Sequence, residues 1–166
     1  MKKTNVLRLV RIAAVASIYF VLTVAIAPIS YGEIQMRVSE ILLFLCFYNK
    51  DYCISLTVGC ALANLFSPFA LFDVPIGSAA TLIAVILMSF SPNIFVSAVF
   101  PVITNGVLVG LSLTLVYSLA FPIAAASVAI GELAVCVAGA LLFRFILEKQ
   151  PHFMKLIDNK RQLKKQ

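Results

Sequence analysis

Apolar residues run along this chain in long blocks, and polar residues gather in the short gaps between them. The first block extends from Val6 to Ala27 and stops at Pro28, with Lys2, Lys3, Arg8 and Arg11 around its start. A second, from Val38 to Tyr48, is short, and a third covers Cys53 to Phe66 and ends at Ser67-Pro68. The fourth begins near Pro75, reaches Phe90 and stops at Ser91-Pro92-Asn93. The fifth runs from Ile94 to Tyr117 with Pro101 inside it, and the sixth from Phe121 to Leu147. Turn and breaker residues punctuate nearly every junction, as helix ends require. A helix of about 20 apolar residues crosses about 30 Å of hydrocarbon. The pattern therefore predicts an all-α integral membrane protein with six transmembrane helices in one domain over residues 1–147. Tyr31, Tyr48, Tyr52 and Tyr117 fall at predicted helix ends, where amphipathic rings favour the interface.

Composition supports the membrane reading. The 166 residues are 62% hydrophobic and 12% charged, with a mean hydropathy of +1.05. A soluble domain carries about 45–50% apolar and about 25% charged residues, so neither a large soluble domain nor a single anchor fits. The net charge of +6 would suit nucleic acid, but its placement points elsewhere. With both termini in the cytoplasm and six crossings, twelve of the thirteen basic residues lie inside and only Arg37 lies outside. Residues 148–166 then form a basic cytoplasmic tail, solvated near anionic lipid. A rival reading takes the N-terminus as a cleaved secretory signal with Ala25-Ile26-Ala27 as its site. Against that, the apolar run is long and Pro28 would follow the cut directly.

Several chemistries find no support. No G-x-x-x-x-G-K-[ST] phosphate loop occurs, so ATP-driven work would need another chain to hydrolyse the nucleotide. Cys46, Cys53 and Cys60 repeat every seven residues but lack Cys-x-x-Cys spacing or histidine partners. They read as small buried side chains, with no metal site and no cofactor in this chain. The single histidine, His152, lies in the tail. A nucleophile–histidine pair inside the bundle is therefore excluded, and an enzyme is the least favoured class.

Polar residues concentrate between the first two helices, where the stretch from Ser30 to Glu40 holds Tyr31, Glu33, Gln35, Arg37 and Glu40. A short, interrupted segment after such a stretch often borders a binding site in membrane proteins. A surface ion pair is the plainer alternative for its charges. Asn64 and Asn105 need partners in apolar surroundings, supplied either by interhelical hydrogen bonds or by a ligand. Asp73, just before Val74-Pro75, fits a helix N-cap as well as a ligand contact. Glu132 lies mid-way along the sixth block, where a charged acid costs about 2.5–3.5 kcal/mol. It must be protonated, paired (Arg37 is the one basic residue on that side) or facing a wet cavity. In the first helix Ala13 and Ser17 form a small-x-x-x-small pair that lets another helix approach closely. The sixth carries Ala124, Ala125, Ala126, Ala129, Gly131, Ala134, Ala138 and Gly139, which predict tight packing.

These residues resemble a known family. Pro28-Ile29-Ser30-Tyr31-Gly32, followed by Gln35-x-Arg37-x-Ser39-Glu40, is similar to the signature of the queuosine-precursor transporter (QueT) family. The resemblance continues through Gly59-Cys60-Ala61-Leu62-Ala63-Asn64-Leu65-Phe66-Ser67-Pro68, Asp73 with Gly77, Ala80-Thr81-Leu82, Asn105-Gly106 and Gly131-Glu132. Glu33 departs from it, standing where the family usually has proline. The resemblance implies a substrate-binding S component of an energy-coupling factor transporter in a bacterial plasma membrane, taking up 7-deazaguanines such as preQ1 or preQ0. It further implies a transmembrane coupling protein, docked on Ala13 and Ser17, and two cytoplasmic ATPases. A deazaguanine offers a ring N–H and an exocyclic amine side by side, a carbonyl acceptor and, in preQ1, an ammonium group. Glu132, Glu40, Asn105, Gln35 and Arg37 can meet these groups, while Tyr31 and Phe66 are candidates for an apolar slot, with Asn64 and Asp73 nearby. Two other readings stay open: a different vitamin-like cargo, and a stand-alone carrier with Glu132 as proton relay.

Overall fold

A computed structural model describes residues 3–32 and 35–157. Glu33, Lys2 and the tail from residue 158 onward lie outside the described residues. All regular structure among those described is helical. Helix α1 spans Lys3–Ala25 and α2 spans Ala27–Ser30; a 3-10 helix over Val38–Phe44 runs directly into α3, Leu45–Tyr48. Then follow α4 (Tyr52–Asn64), α5 (Ala70–Phe90), α6 (Ile94–Ser97), α7 (Val99–Tyr117), α8 (Phe121–Phe145) and α9 (Pro151–Ile157). Four stretches are long and apolar enough to cross a membrane: Val6–Ala25, Ala70–Phe90, Ile94–Tyr117 and Phe121–Lys149. The other two expected crossings, Val38–Tyr48 and Tyr52–Asn64, are shorter apolar helices.

Local chemistry explains most boundaries. Pro101 has no N–H to offer the carbonyl of Ser97, and the chain breaks there into α6 and α7. The Asn93 side chain caps α6 by accepting from the Phe95 N–H at 2.8 Å. Ser118 adopts a left-handed conformation (φ 56°) that ends α7, and Pro122 stands in the first turn of α8. The fourth block begins earlier than the sequence suggests, at Ala70. Pro75 is tolerated because the carbonyl it deprives belongs to Leu71, in the exposed first turn. Asp73 is therefore inside α5 and is not its N-cap.

In order of packing, α1 lies against α4, α4 against α5, α5 against α7 and α7 against α8. The ring does not close by α8 meeting α1. Instead the 3-10 helix fills the gap, touching both. Most of the segment Val38–Tyr48 is buried, with Leu43, Phe44, Leu45 and Cys46 in the main core, which is why its sequence after Glu40 is apolar all round. Its shortness matters most for function. It occupies only part of the bundle's length, and the chain preceding it, Gln35 to Arg37, descends into the remainder.

Small residues set the helix spacing. A Cβ on Gly110 of α7 would stand 2.7 Å from the Ala125 Cα of α8, so the two backbones meet with no side chain between them. The expected tight packing of α8 thus holds along one face, through Ala124, Ala125 and Gly139, while Ala126, Ala134 and Ala138 face outward. On α1, Ala16 is buried, whereas Ala13 and Ser17 are exposed. Beside them an apolar groove of about 360 Å³ opens in the gap between α1 and α8, walled by Ala14, Ile18, Leu42, Leu142 and Phe153.

Arg8, Arg11, Lys50 and Arg144 gather at one end. Arg8 pairs with Asp51 at 2.7 Å, Arg144 with Glu148 at 2.6 Å, and Lys50 lies 3.5 Å above the Phe90 ring. The described start of the tail is packed rather than solvated: Met154 and Ile157 are buried in the main core, and the Asn49 amide donates to the Ile157 carbonyl.

Candidate functional site

A 3-10 helix repeats every three residues, so side chains at i and i+3 eclipse. Glu40 and Leu43 within that helix therefore share one direction, and both are buried, as is Arg37, the extended residue just before it. The segment thus brings a cation and an acid down together among four neighbouring helices.

Beside them lies a small, partly open polar cavity. Its walls are Gln35 and Arg37 from the descending chain, Asn105 and Val109 from α7, and Val128 and Glu132 from α8. Arg37 is 5% exposed and Glu132 3%. The cavity measures about 10 Å³, room for about one water molecule. Asn105 and Val109 share a face of α7 because they are four residues apart, as are Val128 and Glu132 on α8. The thiol of Cys136, one turn beyond Glu132, donates to its Oε1 at 3.4 Å.

The surroundings of Arg37 are unusual. Among the described residues it makes no ion pair, although its guanidinium feels Glu40 and Asp73. Nε donates to the Ser30 carbonyl at 3.4 Å and Nη1 to the Cys60 sulfur at 3.8 Å, both long contacts. Nη2 is buried with no hydrogen-bond partner. The guanidinium lies 5.7 Å from the centre of the Tyr31 ring, within cation–π range, and the Tyr31 hydroxyl donates to the Ala63 carbonyl at 2.6 Å. Cys60 gathers the cluster, accepting also from Thr81 at 3.2 Å and Asn64 at 3.4 Å. A Cβ on Gly77 would lie 2.7 Å from Asn64 Nδ2 and 3.8 Å from Arg37 Nη1, so any side chain there would displace the Asn64 amide.

The structure sorts the expected residues into three groups. Gln35, Arg37, Asn105 and Glu132 share the cavity, with Glu40 buried beside it. Arg37 and Glu132 wall the same hollow without pairing. Tyr31, Asn64 and Asp73 stand behind Arg37. Both Asp73 oxygens already have donors, Ser67 at 2.5 Å and Ser112 at 3.2 Å, and Asn64 donates to the Asp73 carbonyl at 2.8 Å. Phe66 is outside: it is 61% exposed, with its ring edge-on to Phe20 at 5.3 Å, and forms no slot for a ligand. Cys60 and Thr81 joined the site only in three dimensions. So did Tyr19, whose hydroxyl donates to Glu40, and Thr23, whose hydroxyl meets that of Ser39 at 2.6 Å. Cys60 and Thr81 stood in stretches that resemble the family, whereas Tyr19 and Thr23 carried no sequence signal beyond a polar atom inside an apolar block.

Buried donors and acceptors that lack partners (Arg37 Nη2, Glu40 Oε2, Asn64 Oδ1, Ser30 Oγ) are costly inside a bundle. A bundle of long apolar helices that retains such groups, with the Arg37 guanidinium among them at a polar cavity, has the make-up of a membrane protein handling a small polar solute. The chain belongs to the QueT transporter family, which matches it over residues 9–148. It is also 46% identical over 85 residues to the queuosine precursor transporter QueT of Lactococcus lactis subsp. cremoris (strain MG1363). That alignment spans half of this chain and half of the relative's length. No solved structure matches the chain.

Proposed function

We propose that this chain is the substrate-binding S component of an energy-coupling factor importer, and that it captures queuosine precursors, 7-deazaguanines such as preQ1 and preQ0. The observation that carries the reading is the one cavity walled by a guanidinium, two amides and a carboxyl group, with a second carboxyl group beside it. Glu132 takes the ring N–H and exocyclic amine of the base as a bidentate acceptor, and Arg37 with Asn105 donates to its carbonyl. The ammonium of preQ1 adds a charge that a second acid offsets. An analogue lacking one donor leaves a buried acceptor unpaired, which is the source of selectivity. A bicyclic base exceeds 10 Å³, so binding parts the lining side chains.

The chain performs no catalysis in this scheme. It crosses a bacterial plasma membrane six times with both termini in the cytoplasm, Val38–Tyr48 and Tyr52–Asn64 being the two short crossings. The exposed Ala13–Ser17 face and the adjoining apolar groove receive a transmembrane coupling protein, and two cytoplasmic ATPases hydrolyse the ATP. Co-purification with those chains tests the assembly.

Equilibrium binding of preQ1 and preQ0 to the purified protein tests the cargo. No measurable affinity for any deazaguanine, with the fold confirmed, sinks the reading. Glu132→Gln replaces one acceptor oxygen with a donor and is expected to weaken binding more than about tenfold, or about 1.4 kcal/mol. An unchanged dissociation constant would remove Glu132 from the site.

A further inference from the structure

Tyr19 lies on the inner face of α1, fully buried, and its hydroxyl donates to Oε1 of Glu40. A buried tyrosine hydroxyl normally finds a partner, so the contact alone says little. What it leaves behind is informative. The other oxygen of Glu40, Oε2, is equally buried and has no hydrogen-bond partner, and among the described residues Glu40 makes no ion pair. A carboxyl oxygen kept unsatisfied in an apolar interior carries a desolvation cost that a ligand donor would relieve.

The placement of Tyr19 is tightly determined. A Cβ on Gly59 of α4 would stand 2.8 Å from the Ala16 carbonyl and 3.0 Å from the Tyr19 Cβ, so α4 presses this turn of α1 inward. One turn along, Thr23 donates to the Tyr19 carbonyl at 2.9 Å and meets the Ser39 hydroxyl. Two residues on one face of α1 thus hold two successive residues of the 3-10 turn, Glu40 and Ser39. Glu40 cannot rotate without breaking the Tyr19 bond.

We propose that Tyr19 is a positioning residue of the ligand site, occupying Oε1 of Glu40 so that Oε2 alone is presented to one N–H of the ligand. The inference rests on the nitrogen-heterocycle reading above and deepens it. It assigns Glu40 a single acceptor, in contrast to the bidentate role of Glu132.

A double-mutant cycle tests it, with preQ1 binding measured on the wild type, Tyr19→Phe, Glu40→Gln and the double variant, each checked for folding by thermal unfolding. Tyr19→Phe is expected to weaken binding about tenfold, the scale of a hydrogen bond to a charged group. In the Glu40→Gln background the same change is expected to cost less than about twofold, since interacting residues are not additive. Equal losses in both backgrounds, or no loss in the wild-type background, would overturn the proposal while leaving preQ1 binding itself established. A wild-type protein that binds no deazaguanine overturns the functional reading and this inference with it. Infrared spectroscopy gives a readout independent of the Tyr19 variant. The Glu40 carboxyl band, identified by its loss in Glu40→Gln, is expected to shift when preQ1 binds the wild type, and a band that does not respond overturns the proposal.

Discussion

Replacing Arg37 with glutamine is expected to raise the dissociation constant for preQ1 by about a hundredfold, or about 2.7 kcal/mol. The guanidinium is buried, yet its contacts are poor: two long hydrogen bonds, an aromatic face, and one nitrogen with no partner. Its donor capacity is unspent in the free protein and is available to a ligand carbonyl. A hydrogen bond from a charged donor contributes about 1.5–3 kcal/mol, and a forked guanidinium can supply two. Glutamine keeps a donor but loses both the fork and the charge. Arg37→Lys restores the charge alone, and about a tenfold deficit should remain, because an ammonium cannot reproduce the planar geometry. Titration calorimetry on the folded variants decides the point. A loss below threefold for both would make Arg37 a structural counter-charge to Glu40 and Asp73, with no part in gripping the ligand.

The helical blocks were legible because their determinants are one-dimensional: the run of apolar residues, and the prolines and Asn93 that interrupt it. The break at Ser97 was legible in principle from Pro101, whose missing N–H acts four residues upstream. The 3-10 turn was not. Beyond Ser39 and Glu40 the stretch to Tyr48 is continuously apolar, so its sequence holds no periodicity that separates a three-residue from a 3.6-residue repeat. Arg37, Gln35, Asn105 and Glu132 stood out as polar residues in the wrong solvent, and the fold brings them to one cavity. Phe66 was misplaced for a geometric reason. It lies in the turn beyond Asn64, the last residue of α4, where the chain has left the helix whose inner face Asn64 occupies. Asp73 looked like a cap because the start of α5 was read from Pro75 and not from Ala70. Cys60, Tyr19 and Thr23 resemble ordinary core residues in sequence. Only the approach of α1, α4 and the 3-10 turn brings their polar atoms together beside Arg37 and Glu40.

Gly110→Val is expected to be the most damaging substitution for the fold, lowering stability by about 3 kcal/mol, the upper end for overpacking. The new Cβ would meet the Ala125 Cα at 2.7 Å and its nitrogen at 3.0 Å. Those are backbone atoms, which cannot step aside as the tip of a flexible side chain can. Helices α7 and α8 must then separate along the most extensive interface in the bundle. In a membrane no hydrophobic drive compensates, because lipid is as apolar as the helix faces, and close packing carries the association. Gly106→Ala should be milder, since its Cβ would first meet the Ala129 side chain at 3.2 Å. Ala126→Val, on the outward face of α8, should leave the melting temperature unchanged. Binding should follow the same order, because Asn105 and Val109 on α7 face Val128 and Glu132 on α8 across the cavity. Helices forced apart would pull the ligand's donors and acceptors away from each other. Thermal unfolding in detergent, paired with preQ1 titration, separates these effects. A Gly110→Val protein with wild-type melting and wild-type affinity would mean that α7 and α8 do not meet at Ala125, and the cavity between them would lose its two walls.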